Sequence, residues 1–341
     1  MARRPDTRSS AHTRVNRSLL ATIVERAPLA AEGKSGSELE RVVLADGSHL
    51  VVKHVRPGRD WIGRGTHDGG RIATLWHAGL FACVPAMVEH ATVAVEPEDD
   101  GWLVIMRDVA AGLFAPGTRV SRAISRRLLE ATAAMHVAFK GPAGTLAGLC
   151  ALADLYGLFS PAVAAELRTP GASTIPDLIV EGWQRFPDVV APDVVDAVGA
   201  VHADPAAFAA ALLEHPTTVV HGDLKLANLG LVGRRVVVLD WGDLTAVAPG
   251  AVDFAWYVAI NAMAIDAAHN ELLDDIRSAA AEEHDEAALQ LALLGALAQL
   301  GWDMALSATD AADGEGRERE RAGLAWWSAR AREALDAWTL A

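Results

Sequence analysis

Between Glu38 and Val55 the chain reads ELERVVLADGSHLVVKHV, two runs of β-forming residues on either side of Asp46-Gly47. An Asp-Gly pair in that setting is a strong signal for a tight antiparallel hairpin. The glycine-rich stretch from Gly63 to Gly70 reads as a flexible connection, RIATLWHAG as a short helix, and AMVEHATVAVE and GWLVIMRDV as two further strands. The first third is therefore predicted to be a small antiparallel sheet carrying one helix. After Gly112 the period changes. SRAISRRLLEATAAMHVAF repeats its apolar residues at helical spacing, and most of the chain beyond it does the same. One β-rich block interrupts the helices, TTVVHGDLKLANLGLVGRRVVVLDWGDL, with a turn at Gly233-Arg234. Its polar residues gather where the strands end.

At 341 residues the chain exceeds the usual size of a single compact core, and an apolar fraction of 51% is ample for two. A formal net charge of −14 argues against a nucleic-acid partner, which needs a basic face to displace counterions. It is compatible with a cationic or neutral small substrate. The two cysteines, Cys83 and Cys150, are far apart and form neither a disulfide framework nor a zinc ribbon, which suits a reducing, cytoplasmic setting. The apolar run from Leu19 to Val24 stops at Glu25-Arg26, too short for a signal peptide or membrane span, and residues 1–17 read as a flexible basic tail.

The β-rich block also carries the candidate chemistry. His221-Gly222-Asp223 is followed by Asn228, and after strand residues Val236 to Leu239 comes Asp240-Trp241-Gly242. Phosphoryl transfer needs a carboxylate to orient the attacking hydroxyl and take its proton, and hard oxygen ligands to hold Mg²⁺ against the phosphates. Asp223, Asn228 and Asp240 supply that set. A loop Asp or Asn often only caps a helix or ties a turn, but two motifs in register, H-x-D-x-x-x-x-N and D-W-G, are much rarer.

HGDLKLANLG with VVLDWGDL resembles the aminoglycoside phosphotransferase and choline kinase-like family, and Gly222, where protein kinases carry arginine, favours that branch. The resemblance implies an α+β, bilobal, protein-kinase-like fold: a small N-terminal antiparallel sheet with one helix and a larger, mainly helical C-terminal lobe. The corresponding boundaries are a nucleotide-binding lobe over 18–106, a hinge over 107–112, and a helical lobe over 113–341 with the catalytic loop and substrate site. It implies ATP, with GTP as the alternative, and Mg²⁺. Asp223 would be the catalytic base, with Asn228 and Asp240 as magnesium ligands. Asp253 would pin the catalytic loop from below or simply cap a helix. His221 reads as a structural loop histidine. Lys225 would neutralise charge on the γ-phosphate, or be an exposed loop lysine.

In the N-terminal lobe Lys53 is the candidate for the α and β phosphates, against the alternative of an edge-strand lysine. Ser35, Gly36 and Ser37 would let backbone N–H groups approach phosphate oxygens, or form an ordinary turn. A P-loop is excluded, since Pro28 stands where its first glycine belongs and a strand follows. Met106 and Asp108 fall at the hinge, where backbone would meet the adenine. One departure from the family stands out: RIATLWHAG lacks the glutamate that pairs with the phosphate-binding lysine, so either Asp68 substitutes or the phosphates alone position Lys53.

The acceptor is expected beside Asp223. Asp266, Glu271, Asp274 and Asp275 would receive amines or form a solvated helix face. Trp256, Tyr257, Trp302, Trp326 and Trp327 would stack on a sugar or cation, or fill core. The predicted function is thus phosphorylation of a hydroxyl on a small molecule, such as an aminoglycoside-like antibiotic, a sugar or an amino alcohol, in resistance or in metabolism. The alternative is a catalytically weak kinase-like nucleotide-binding protein. A protein kinase is disfavoured because no A-P-E segment follows Asp240.

Overall fold

The computed structural model describes residues 21–29, 38–143, 146–169, 173–310 and 314–339; segment 1–17 and the predicted phosphate-loop residues Ser35, Gly36 and Ser37 lie outside them. The N-terminal part holds β1 (Ile23–Leu29), β2 (Glu38–Leu44), β3 (His49–Val55), α1 (Trp61–Gly65), α2 (Arg71–His77), β4 (Val88–Glu89), β5 (Thr92–Glu98) and β6 (Gly101–Arg107). Five of these strands form an antiparallel sheet in the order β1-β2-β3-β6-β5. The Asp46-Gly47 turn is fastened by Asp46 Oδ1, which accepts from Ser48 N at 2.9 Å. Val42, Leu44, Leu50 and Val52 from β2 and β3 bury one face with Ala94 and Ile105, a small core belonging to the sheet.

The glycine-rich connection is more ordered than its composition suggests. Asp60 caps α1 by accepting from Gly63 N at 2.7 Å, and Trp61 is buried edge-on against Phe159, ring centres 5.7 Å apart. A capped turn and a buried indole fix the segment despite its glycines.

The C-terminal part begins with β7 (Val120–Ser121) and α3 (Arg122–Ala143), followed by α4 (Leu152–Gly157), α5 (Pro161–Leu167), α6 (Ile175–Arg185), α7 (Pro192–Ala203) and α8 (Pro205–Leu213). Next come β8 (Thr218–Val220), β9 (Leu229–Val232), β10 (Arg235–Val238), β11 (Ala246–Ala248), α9 (Ala251–Asn261) and β12 (Ile265–Asp266). The last three helices are α10 (His269–Ala280), α11 (Glu286–Asp310) and α12 (Gly314–Thr339). Helix α11 is apolar nearly all round because it is the centre of the lobe, packed on α12, α9 and α6, with 83% of its most apolar stretch buried. Gly182 permits the α6 contact, since a Cβ there would sit 2.3 Å from the Trp302 carbonyl oxygen.

The β9–β10 block is not isolated from the N-terminal part. β4 joins β10 in parallel, Val88 opposite Val236, and β10 returns antiparallel to β9. Buried Glu89 holds the junction: its carboxylate pairs with Arg107 at the end of β6 and with Arg235 of β10 at 2.6 Å.

Candidate active site

The loop after β8 is shaped from beneath by one buried carboxylate. Asp253, in the first turn of α9, accepts from His221 N at 2.8 Å, from Gly222 N at 2.7 Å, and from His136 Nε2 of α3 at 2.9 Å. Burial alone would raise its carboxyl; the His136 hydrogen bond and charge and the Gly222 N–H outweigh that and hold it below the usual range. His221 Nε2–H donates to Leu239 O at 2.9 Å while Nδ1 accepts from Asp223 N at 3.2 Å, so this ring ties the loop to the β9–β10 hairpin. Gly222 has φ +84°, and a Cβ there would lie 2.3 Å from Leu244 O. Only glycine fits this close crossing of the two motifs. The Thr245 hydroxyl joins them again, accepting from Gly242 N at 3.1 Å and donating to His221 O at 3.3 Å.

The hairpin register then brings the acidic groups together. Val238 pairs with Leu229, and Leu239 N donates to Asn228 O at 2.9 Å, so Asp240 emerges beside Asn228. Asn228 Nδ2 donates to the carbonyl and to Oδ2 of Asp223, both at 3.0 Å, which leaves its amide oxygen as the free acceptor. Lys225 Nζ donates to Asp223 Oδ2 at 2.5 Å. Asp240 adopts φ +67°, a left-handed conformation costly for a non-glycine residue and common where function requires it.

Lys53 reaches across from β3 to Asp240 and lies 3.8 Å from Asp243. Burial favours the neutral amine, but Asp240 and Asp243 outweigh it and raise the Lys53 pKa. Asp240 is held below its ordinary value because Lys53 and Lys225 overcome its burial, whereas Asp243 is pushed up by burial and by the Asp240 charge beside it. Lys225 is raised by Asp223 and Asp240 against its own burial.

Of the residues singled out by sequence, Lys53, Asp223, Lys225, Asn228 and Asp240 thus meet in one cluster. Met106 lies in β6, paired with Val51 and Thr92. Asp108 spends its carboxylate on Arg41, at 2.9 Å, and on Ala110 N, at 3.1 Å, so its side chain shapes the turn after β6. Asp68 does not take over the absent helix glutamate: its Oδ1 accepts from Gly70 N and Arg71 N, each at 2.8 Å, fastening the turn that leads into α2, whose N-cap is Gly70. Nor does Lys53 await phosphates alone, since two carboxylates of the neighbouring loop hold it.

Four contributors lie outside the sequence motifs. Asp243 is hidden behind the shorter D-W-G motif. Arg71 of α2 is 1% exposed and donates to Asp243 O at 2.6 Å and to Thr66 O, so the helix that lacks an acid grips the metal-motif loop through a cation. Asn261, at the end of α9, accepts from Leu226 N and donates to Leu224 O, both at 2.8 Å. His136 completes the Asp253 support. Arg71 carries a sequence signal, an arginine in an otherwise apolar helix face; Asn261 and His136 carry none, because their partners are distant in sequence.

Asn228 and Asp240 offer the hard oxygen donors that Mg²⁺ prefers. Among the described residues no three His, Cys, Asp or Glu side chains form a metal cage of their own.

Residues 32–289 match the model of the phosphotransferase enzyme family. The solved structure of a choline/ethanolamine kinase family protein from Mesorhizobium loti superposes with a TM-score of 0.52 at 16% identity, covering 97% of this chain and 100% of that one. For the choline kinase LicA from Streptococcus pneumoniae the TM-score is 0.51 at 12% identity, covering 98% of this chain and 100% of that one. No curated protein matches. The family model spans most of the chain and the fold is shared along nearly all of it, so the chain belongs to the phosphotransferase enzyme family, whose members are small-molecule kinases.

Proposed function

We propose that this chain is an ATP-dependent phosphotransferase that moves the γ-phosphoryl group to a hydroxyl of a small molecule. The observation that carries the reading is the convergence of Asp223, Asn228 and Asp240 at the mouth of the β9–β10 hairpin, with Lys53 reaching in from the opposite sheet. Asp223 orients the acceptor hydroxyl and takes its proton as the new O–P bond forms and the bond from the γ-phosphorus to the bridging oxygen breaks. Lys225, on the same carboxylate, supplies positive charge to the oxygens of the group in transfer. Bound Mg²⁺ would neutralise phosphate charge, held by Asn228 Oδ1 and Asp240. Lys53 then turns to the α and β phosphates, with the backbone at Met106 and Asp108 against the base.

The absent helix glutamate favours a second reading, a nucleotide-binding protein with little transfer activity. Mg²⁺-dependent ATP turnover against aminoglycosides, sugars and amino alcohols, with Asp223→Asn as control, separates the two. Acceptor-dependent turnover that vanishes in the variant supports the kinase; tight nucleotide binding without turnover supports the second reading.

A further inference from the structure

The acceptor class can be approached from the charges on the segment that follows Asn261, the residue that binds the backbone at 224 and 226. Each acid expected to receive an amine already has an arginine. Asp266 accepts from Arg119 at 2.7 Å, Asp275 from Arg122 at 2.7 Å and Asp274 from Arg277 at 3.0 Å, while Glu271 also pairs with Arg122. All four carboxylates are thus engaged by arginines within the molecule, with Arg122 shared between Glu271 and Asp275 and Arg277 shared between Asp274 and Glu286.

Close by lies a cavity of about 540 Å³. Its wall includes Ala262 and Met263, which directly follow Asn261, the residue whose amide binds Leu224 O and Leu226 N on either side of Lys225. The cavity wall is therefore continuous with the support of the catalytic loop. Its ionisable lining is Arg119, Asp266, Arg319 and His269. Asp266 is paired with Arg119, and no salt bridge to Arg319 occurs among the described residues. Within the lining two arginines thus face one carboxylate, and Arg319 also acts on the carboxylate of the neighbouring Glu320. The remaining wall is mostly small and aliphatic, with one aromatic pair: Trp326 stacks on His269 with ring centres 4.7 Å apart and donates to Asn270 Oδ1 at 2.7 Å, which fixes its ring. Burial lowers the His269 pKa and so disfavours its protonated form. The other tryptophans considered, Trp256, Trp302 and Trp327, are buried in the core.

We infer that this cavity receives the acceptor, and that the acceptor is a hydroxyl compound carrying a carboxylate or phosphate, with Arg319 as the cation that meets the anionic group. This rests on the kinase reading above. A polyamine acceptor would face Arg119 and Arg319 without a free carboxylate to meet it. An anion gains a charge-assisted partner there and an apolar ring edge for its carbon skeleton. Two side chains of different kinds thus set specificity on a wall that the catalytic loop itself braces.

The test uses the full chain with Mg-ATP and five acceptors: gluconate, glucose 6-phosphate, glucose, kanamycin and choline. Phosphoryl transfer is followed by product formation, and ATP hydrolysis with water as acceptor is followed separately. The expected result is transfer to gluconate or glucose 6-phosphate with kcat/KM above that for the neutral and cationic compounds. Whichever of the two prevails tells carboxylate from phosphate. Arg319→Glu is expected to raise KM for the anionic acceptor about tenfold or more with little change in kcat, and Arg319→Lys to restore most of the affinity. Arg319 lies on the exposed face of α12, so the substitution tests recognition rather than folding. A preference for kanamycin or choline, equal use of all five, or an unchanged KM in Arg319→Glu overturns the inference while leaving the kinase reading intact. Absence of any Mg²⁺-dependent ATP turnover, with water or acceptor, removes both.

Discussion

Replacing Asp253 by asparagine should loosen the loop after β8 without touching any group proposed to react. The carboxylate accepts three hydrogen bonds, two on Oδ2, from His136 and His221 N, and one on Oδ1, from Gly222 N. An amide has a single acceptor oxygen. With that oxygen in the Oδ2 position its nitrogen faces the Gly222 N–H donor to donor. The expected loss is one hydrogen bond to a charged group, about 1.5–3 kcal/mol. Asp253→Ala removes all three and leaves His136 buried without its partner, about 3–5 kcal/mol. Urea unfolding at neutral pH reads both as lowered midpoints at unchanged slope. The pH dependence has a definite sign. Because the folded carboxyl lies below its unfolded value of about 3.9, the stabilisation is complete above that value and is lost as pH falls through the lower, folded one. Asp253→Asn should therefore cost stability at neutral pH and flatten the acid limb. A variant with the wild-type midpoint at pH 7 would refute the claim that this carboxylate holds residues 221 and 222.

Gly222→Ala is expected to destabilise by about 1–3 kcal/mol from overpacking against Leu244 O, together with roughly 1–2 kcal/mol for a left-handed non-glycine residue; an unchanged thermal midpoint would contradict the close crossing. Arg71→Met leaves the Asp243 and Thr66 carbonyls without their donor, at about 1–3 kcal/mol each. Nucleotide calorimetry should register weaker Mg-ATP binding, and equal affinity would show that α2 does not brace the metal-motif loop. Lys225→Ala should slow turnover about tenfold or more with a smaller effect on nucleotide affinity. Wild-type kcat would dismiss its role at the γ-phosphate.

The parts legible in the sequence are those written in contiguous residues. The Asp46-Gly47 hairpin, the change from β-forming runs to helical periodicity after Gly112, and the two motifs of the β9–β10 block each declare themselves within a few positions. The illegible parts depend on pairings between distant segments. Nothing in the sequence of α9 announces that Asn261 will bind the backbone at 224 and 226, or that His136 of α3 will meet Asp253. The junction of β4 with β10 involves two residues of one partner, too few to carry a strand pattern. Glycines mislead at 63 to 70, where a side-chain cap and a buried tryptophan override backbone freedom. The family pattern directs the search for the lysine partner to the helix. Here the carboxylates of Asp240 and Asp243 hold Lys53, and Arg71 supplies the link from the helix.

The division of labour between Asp223 and Asp240 is the claim on which the account turns. Titration of Mg-ATP into Asp223→Asn and Asp240→Ala, followed by single-turnover measurement of phosphoryl transfer on the same samples, tests it directly. The account predicts that Asp223→Asn binds Mg-ATP nearly as wild type yet transfers about 10²–10⁴-fold more slowly, whereas Asp240→Ala loses the Mg²⁺-dependent part of nucleotide binding itself. Undiminished Mg-ATP affinity in Asp240→Ala, or undiminished transfer in Asp223→Asn, would contradict it.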